Sequence, residues 1–136
     1  MDGRDLPSII GARAEAAVAS ALVRSGYAVF LPAFAAHDRV DLMYLGGAGP
    51  RRVQCKSARL YRGALMFKTC SYTANVPRGY TDQVDEFGVF APDTGLVYLV
   101  PAVDLPNRSC TLRVDPTING QCVGIRWASA YLLGPP

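Results

Sequence analysis

Four side chains of this 136-residue chain could act together: Glu15, Asp41, Gln54 and Lys56. Gln54 and Lys56 stand two apart in the run Arg52–Val53–Gln54–Cys55–Lys56. On a strand they point to the same face. Asp41 sits in the otherwise apolar run Val40–Asp41–Leu42–Met43–Tyr44. Aspartate is depleted inside strands, so its presence there needs a reason. If the two runs pair around Gly46–Gly47–Ala48–Gly49–Pro50, Asp41 lies beside Gln54 and Lys56. A carboxylate, an amide oxygen and an ammonium then converge. Glu15 joins them from a helix, where it shares a stripe with Gly11, Val18 and Leu22. A carboxylate on or beside a buried face needs a partner or a metal. Oxygen ligands with open positions suit Mg²⁺ or Mn²⁺. Each residue also has a plain structural role open to it. Glu15 could reach water at the helix edge, Asp41 could face solvent at a strand end, and Lys56 could be an ordinary exposed strand lysine.

Composition adds to the case for Lys56. The chain uses arginine twelve times and lysine twice. Lysine offers a compact charge suited to orienting or activating a water. The net charge of +3 is modest, but its distribution is not. No acidic residue occurs between Asp41 and Asp82, and that stretch holds Arg51, Arg52, Lys56, Arg59, Arg62, Lys68 and Arg78. Tyr61, Phe67, Tyr72 and Tyr80 are interleaved with them. An acid-free basic stretch fits a polyanion partner, and equally a solvated face with none.

The elements that must position these residues can be read from pattern. Residues 8–25 form a helix, with Ser8 as cap and Gly26 as stop. Residues 27–31, 39–45, 51–57 and 64–69 are strands, the second and third joined as a hairpin. Residues 71–79 are polar and predict a surface loop, and residues 80–86 a short helix. Residues 88–90 and 97–100 are strands around Pro92–Asp93–Thr94–Gly95. Residues 109–114 form a further strand and residues 127–133 a final short helix. The order implies an α/β fold, a mixed β-sheet flanked by helices. Residues 1–136 read as one domain, without repeat, linker or low-complexity tract.

Glu15 on a first helix, Asp41 on a strand, then Gln54–Cys55–Lys56 on the next strand resembles the PD-(D/E)XK nuclease superfamily. The likeness is greatest to the branch with glutamine in the third position, which includes intron-encoded homing endonucleases. Archaeal Holliday-junction resolvases are related. The matching segment is residues 11–58, with a looser likeness through residues 80–100. The pattern departs in two places: Val40 replaces the proline before Asp41, and Gln54 replaces an acid. The resemblance implies a restriction-endonuclease-like core and a metal-dependent DNA endonuclease. Asp41 would bind the metal, with Gln54 and the Cys55 carbonyl as further ligands. Glu15 would hold a water at the metal or a second metal. Lys56 would position the attacking water and touch the scissile phosphate. Arg51, Arg52, Arg59, Arg62, Lys68 and Arg78 would hold the DNA backbone.

Implied partners are double-stranded or branched DNA and further copies of the chain, because cutting two strands calls for a homodimer or homotetramer. Two other readings remain at this stage: a non-catalytic DNA-binding module on the same fold, and a structure-specific nuclease of the junction-resolving kind. His37–Asp38 could form a base pair of groups at the site rim or be incidental. Ser57 could bind phosphate. The cysteines Cys55, Cys70, Cys110 and Cys122 form no CxxC pair, and His37 is the single histidine, which argues against structural zinc. No apolar run is long enough to span a bilayer and the first residues lack a signal-peptide pattern, so a soluble cytoplasmic protein is expected.

Overall fold

The structure is a computed structural model that describes residues 6–34, 39–73, 76–79 and 83–134. Helix α1 spans Pro7–Arg24. Proline at its first position loses nothing, since that N–H has no helical acceptor. Leu6 occupies the cap position without a side-chain bond, so Ser8 lies inside the helix and does not cap it. Gly26 takes a φ of +94° just past the end, a conformation that favours glycine.

Strands follow at Val29–Phe30 (β1), Leu42–Gly46 (β2), Gly49–Ser57 (β3), Arg59–Tyr61 (β4), Ala64–Lys68 (β5), Cys70–Thr73 (β6), Val76–Gly79 (β7), Glu86–Ala91 (β8), Leu96–Pro101 (β9), Ser109–Arg113 (β10) and Leu132–Leu133 (β11). The main sheet has six strands in the order β1-β2-β3-β8-β9-β11. It is mixed: β3 and β8 run parallel, while β2 pairs antiparallel with β3 and β8 with β9. A second sheet orders β10-β5-β4, and β6 with β7 makes a two-stranded ribbon.

Each face of the main sheet has its own core. Val18, Ala21 and Leu22 of α1 pack on Leu42, Tyr44, Val53, Cys55 and Val97. On the opposite face, Phe87, Val89, Tyr98 and Val100 pack against Leu65, Phe67, Cys110 and Leu112 of the second sheet. The mixed α/β sheet is therefore the predicted one, but among the described residues only one α-helix flanks it. The other flank is a β-sheet, because β3 passes through the buried Ala58 into β4 and crosses to the far layer.

Three local expectations are corrected. Residues 71–79 are not a plain loop; β6 and β7 pair from Cys70–Gly79 to Thr73–Val76. The predicted helix at 80–86 is absent where it is described, since a turn leads into β8 at Glu86. Burial of Val84 and Phe87 and pairing with β3 favour extended backbone there. The predicted helix at 127–133 is one 3₁₀ turn, Ala128–Tyr131, after which Leu132 and Leu133 pair with Tyr98 and Val97. The open edge of β9 outweighs local helical pattern.

Gly88 is where α1 meets the sheet. A Cβ there would lie 2.6 Å from Val18 Cγ1 and 3.1 Å from Val53 Cγ1. Glycine permits this close approach of helix and strand. Gly88→Ala is expected to destabilise the chain by about 1–3 kcal/mol through overpacking. Denaturant unfolding will measure it, and adding Val18→Ala should recover part of the loss.

Candidate active site

The β2–β3 ladder runs from Gly46–Gly49 at the turn to Leu42–Val53. Asp41 comes immediately before it and level with Gln54. Its N–H donates to the Val53 carbonyl at 2.9 Å. Beyond that point β2 has no backbone to offer β3. The Cys55 N–H donates to Asp41 Oδ2 at 2.8 Å instead. The carboxylate thus takes the place of a strand, and an N–H that would otherwise lack an acceptor fixes its position.

That position is costly for a charge. Burial pushes the Asp41 carboxyl up from 3.8 to about 6; the Cys55 N–H opposes this, the nearby Glu15 carboxylate adds to it, and the Lys56 ammonium offsets part. Glu15 and Lys56 thus each lie within electrostatic range of Asp41. Glu15 is exposed, beside the buried stripe of Ala14, Val18, Ala21 and Leu22. The helix phase resolves its ambiguity: Glu15 reaches round the edge of the helix instead of pointing into the core.

Gln54 and Lys56 alternate with Val53 and Cys55, which face α1. They therefore point to the other face. The Gln54 side-chain oxygen is buried and has no hydrogen-bond partner among the described residues. An orphaned buried amide oxygen is costly, and demands an explanation. Lys56 is half-buried on the floor of a groove of about 950 Å³ between the first turns of α1 and the second sheet. Ser57, Arg59, Tyr61, Met66 and Lys68 also line it, and among the described residues no acid does.

The donors fit a hard divalent cation. Gln54 offers an oxygen without a partner, and Asp41 carries a charge that burial and Glu15 disfavour. A cation would relieve both. Among the described residues no three His, Cys, Asp or Glu side chains cluster as a metal site. Such a site here would rest on two carboxylates, an amide oxygen and main-chain carbonyl.

The basic residues divide into two groups. Arg51 lies 3.4 Å from Glu86 Oε1, and the Tyr44 hydroxyl also donates to that carboxylate. Arg52 donates from its main chain, Nε and Nη2 to Asp85 at 2.8, 3.2 and 3.3 Å. These bonds hold the Asp85 carboxyl below its ordinary value. Arg51 and Arg52 are thus neutralised within the fold, at the far end of β3 from Lys56, which does not suit the phosphate contacts expected of them. Arg59 and Lys68 instead line the groove. Arg62 stands at the exposed β4–β5 turn over the Tyr61 ring, 5.2 Å from its centroid. Arg62 and Gly63 have φ of 50° and 76°, the pattern of a tight hairpin turn. His37, Asp38, Asp82, Tyr80 and the side chains of Arg78 and Tyr72 lie outside the described residues. Sequence pattern missed the buried Glu86, whose signal was an acid opening an apolar strand. It also missed Met66 and Ser109 in the groove, which no motif marks.

The cysteines are free, three of them buried and Cys122 exposed. No described helix is long and apolar enough to cross a membrane.

Comparison with known proteins gives two findings. The family model for PD-(D/E)XK endonucleases matches residues 7–134. The solved structure of a bacterial homing endonuclease, I-Ssp6803I, matches with a TM-score of 0.73 at 17% identity, over 94% of this chain and 89% of that one. That likeness is one of fold, and it establishes the restriction-endonuclease-like core. No curated protein matches the chain.

The raised Asp41 carboxyl carries a pH signature. A raised folded-state value means that its contribution is fully present below about 3.8 and lost as pH rises to about 6. In chelator, Asp41→Asn should therefore be more stable than wild type at pH 7, by about 1–2 kcal/mol after allowing for partial exposure. The difference should vanish near pH 4. Asparagine keeps an oxygen for the Cys55 N–H, so unfolding curves at the two pH values isolate the charge.

Proposed function

This chain belongs to the PD-(D/E)XK endonuclease family, and on that premise we propose that it is a Mg²⁺-dependent (or Mn²⁺-dependent) DNA endonuclease acting on double-stranded or branched DNA. The observation that carries the reading is Asp41 at the break in the β2–β3 ladder, with Glu15 and Lys56 close to it, beside a groove lined by Lys56, Arg59 and Lys68. Residues 1–136 are taken as a single nuclease domain.

In this reading Asp41, Gln54 and Glu15 hold the metal. When bound, the cation supplies Lewis-acid stabilisation of charge growing on the phosphate and eases loss of a proton from water. The chain's own residues do the rest. Lys56 places its ammonium where it can hold a water for in-line attack and offset charge on a non-bridging phosphate oxygen. Asp41 is fixed by the Cys55 N–H, so its oxygens need no reorganisation during the reaction. Water adds to phosphorus, one P–O ester bond breaks, and the departing alkoxide takes up a proton from solvent. A phosphomonoester and an alcohol result. Arg59, Lys68 and Arg62 carry the DNA backbone toward the site. One chain offers one such site, so cutting both strands calls for a homodimer or homotetramer.

A cleavage screen over duplex, junction, flap and single-strand DNA with Mg²⁺ tests the activity. Asp41→Ala and Lys56→Ala should each lower the rate by about 10²-fold or more. Equal cutting by all three proteins would overturn the assignment. Gln54→Leu separates a ligand from a structural amide. It removes an orphaned buried oxygen, so the variant in chelator should melt no lower than wild type. Its stabilisation by Mg²⁺ should fall well short of the wild-type gain, which reaches about 2.7 kcal/mol at a hundred times Kd. An undiminished Mg²⁺ response would exclude Gln54 as a ligand.

A further inference from the structure

A second polar pocket, of about 410 Å³, adjoins the groove, and Ser109 lines both. Thr111, Arg113, Thr117, Gln121 and Arg126 line it, and among the described residues no acid does. The Arg113 N–H donates to the Arg126 carbonyl at 2.7 Å, so the main chain sets the two arginines side by side. Arg113 Nε and Nη2 donate to the carbonyls of Asp115 and Pro116 at 2.8 and 3.1 Å. Arg126 Nη2 donates to the Asp104 carbonyl at 3.1 Å. Neither forms an ion pair with a carboxylate among the described residues.

This differs from the treatment of Arg51 and Arg52, which are matched to Glu86 and Asp85. Carbonyls orient the guanidinium groups of Arg113 and Arg126 without neutralising them. Two like charges held together repel, and an anion between or before them relieves that cost.

The surface between the two pockets is the outer face of the second sheet. The register sets Arg59 and Thr111 on either side of Met66, and Ser109 beside Lys68. Met66 is 53% exposed on β5, and Thr111 and Lys68 are exposed beside it. Leu65, Phe67, Cys110 and Leu112 alternate with these and face the core. The outward face is therefore basic and hydroxyl-bearing with an apolar centre, and it runs unbroken from Lys56 to Arg113. The carboxylates of Asp93 and Asp115 lie at the turn end of the sheet, the end that also carries Arg113, and they face the Leu60 N–H and Gly63.

We propose that duplex DNA entering the Lys56 groove continues across the outer face of the β10-β5-β4 sheet, and that Arg113 and Arg126 hold a backbone phosphate in the adjoining pocket. The inference rests on the nuclease reading and extends it to the surface that docks the substrate beyond the cut. Phosphates are the recurrent anion on such a path, and paired guanidinium groups bind them through several charge-assisted bonds. Met66 and Thr111, at the centre of the face, are placed to meet base edges or sugars, as sheets do in other DNA readers.

The test is duplex binding by fluorescence anisotropy in chelator, with the full chain, across a salt series. The double variant Arg113→Gln with Arg126→Gln should bind about tenfold more weakly at low salt, and the slope of log K against log salt should fall by about 1, as the loss of one phosphate contact requires. Thr111→Glu breaks none of the carbonyl bonds and should weaken binding in the same direction. Arg24→Gln, at the far end of α1 and outside both pockets, should bind as wild type does. If the double variant and Thr111→Glu keep wild-type affinity and slope while wild type binds and cuts, the docking surface is overturned and the nuclease assignment stands. If the same residues bind single strands and not duplex, the duplex is the wrong occupant and the proposal fails. If wild type neither binds nor cuts any DNA, the nuclease reading falls and this inference falls with it.

Discussion

The Cys55 N–H faces a gap where β2 parts from β3, and the Asp41 carboxylate is the acceptor that fills it. Much of the site depends on that bond. A backbone donor in mid-strand cannot be left bare without cost. A side chain that satisfies it is held in the plane of the sheet. Residues from both faces can then reach it: Glu15 from the helical side, and Lys56 from the strand itself. The same placement strips water from the carboxylate, which is why its proton is held more tightly than usual. The hydrogen bond positions the carboxylate and eases the tension that its burial creates.

The tension has a counterpart in Gln54. Its side-chain oxygen is buried without a partner, one strand position from the Cys55 N–H that fixes Asp41. Stable folds rarely leave such atoms unsatisfied except where function uses them. A buried carboxylate and an orphaned amide oxygen stand level across the end of one ladder, and a hard cation would relieve both. Neither would be needed to hold the sheet together, which its two apolar cores already do.

Charge is managed differently at the two ends of β3. At the turn end, Glu86 and Asp85 take up Arg51 and Arg52, with Tyr44 completing a buried polar group. These arginines contribute to structure. At the other end, no acid among the described residues lines either pocket, and carbonyls orient Arg113 and Arg126. Equal numbers of basic residues in a sequence can therefore have opposite meanings. What separates Arg51 and Arg52 from Arg113 and Arg126 is whether a carboxylate or a carbonyl takes up the guanidinium.

Residue type and order were enough to mark Glu15, Asp41, Gln54 and Lys56, the helix that carries the first and the hairpin that carries the others. Those features are local: strand alternation, a glycine-rich turn, and an aspartate in an apolar run. Family membership could be read from the same short segment. The sequence also marked a basic region, but it could not divide that region, because Glu86 and Asp85 lie more than thirty positions from the arginines they neutralise. Long-range pairing also made β11 of a segment with helical pattern, and put a second sheet where another helix was expected. Arg113 and Arg126 became neighbours of the groove only because β10 pairs with β5 and returns through a bonded loop. The candidate site was written in nearby residues; which arginines meet a carboxylate was decided by contacts between distant ones.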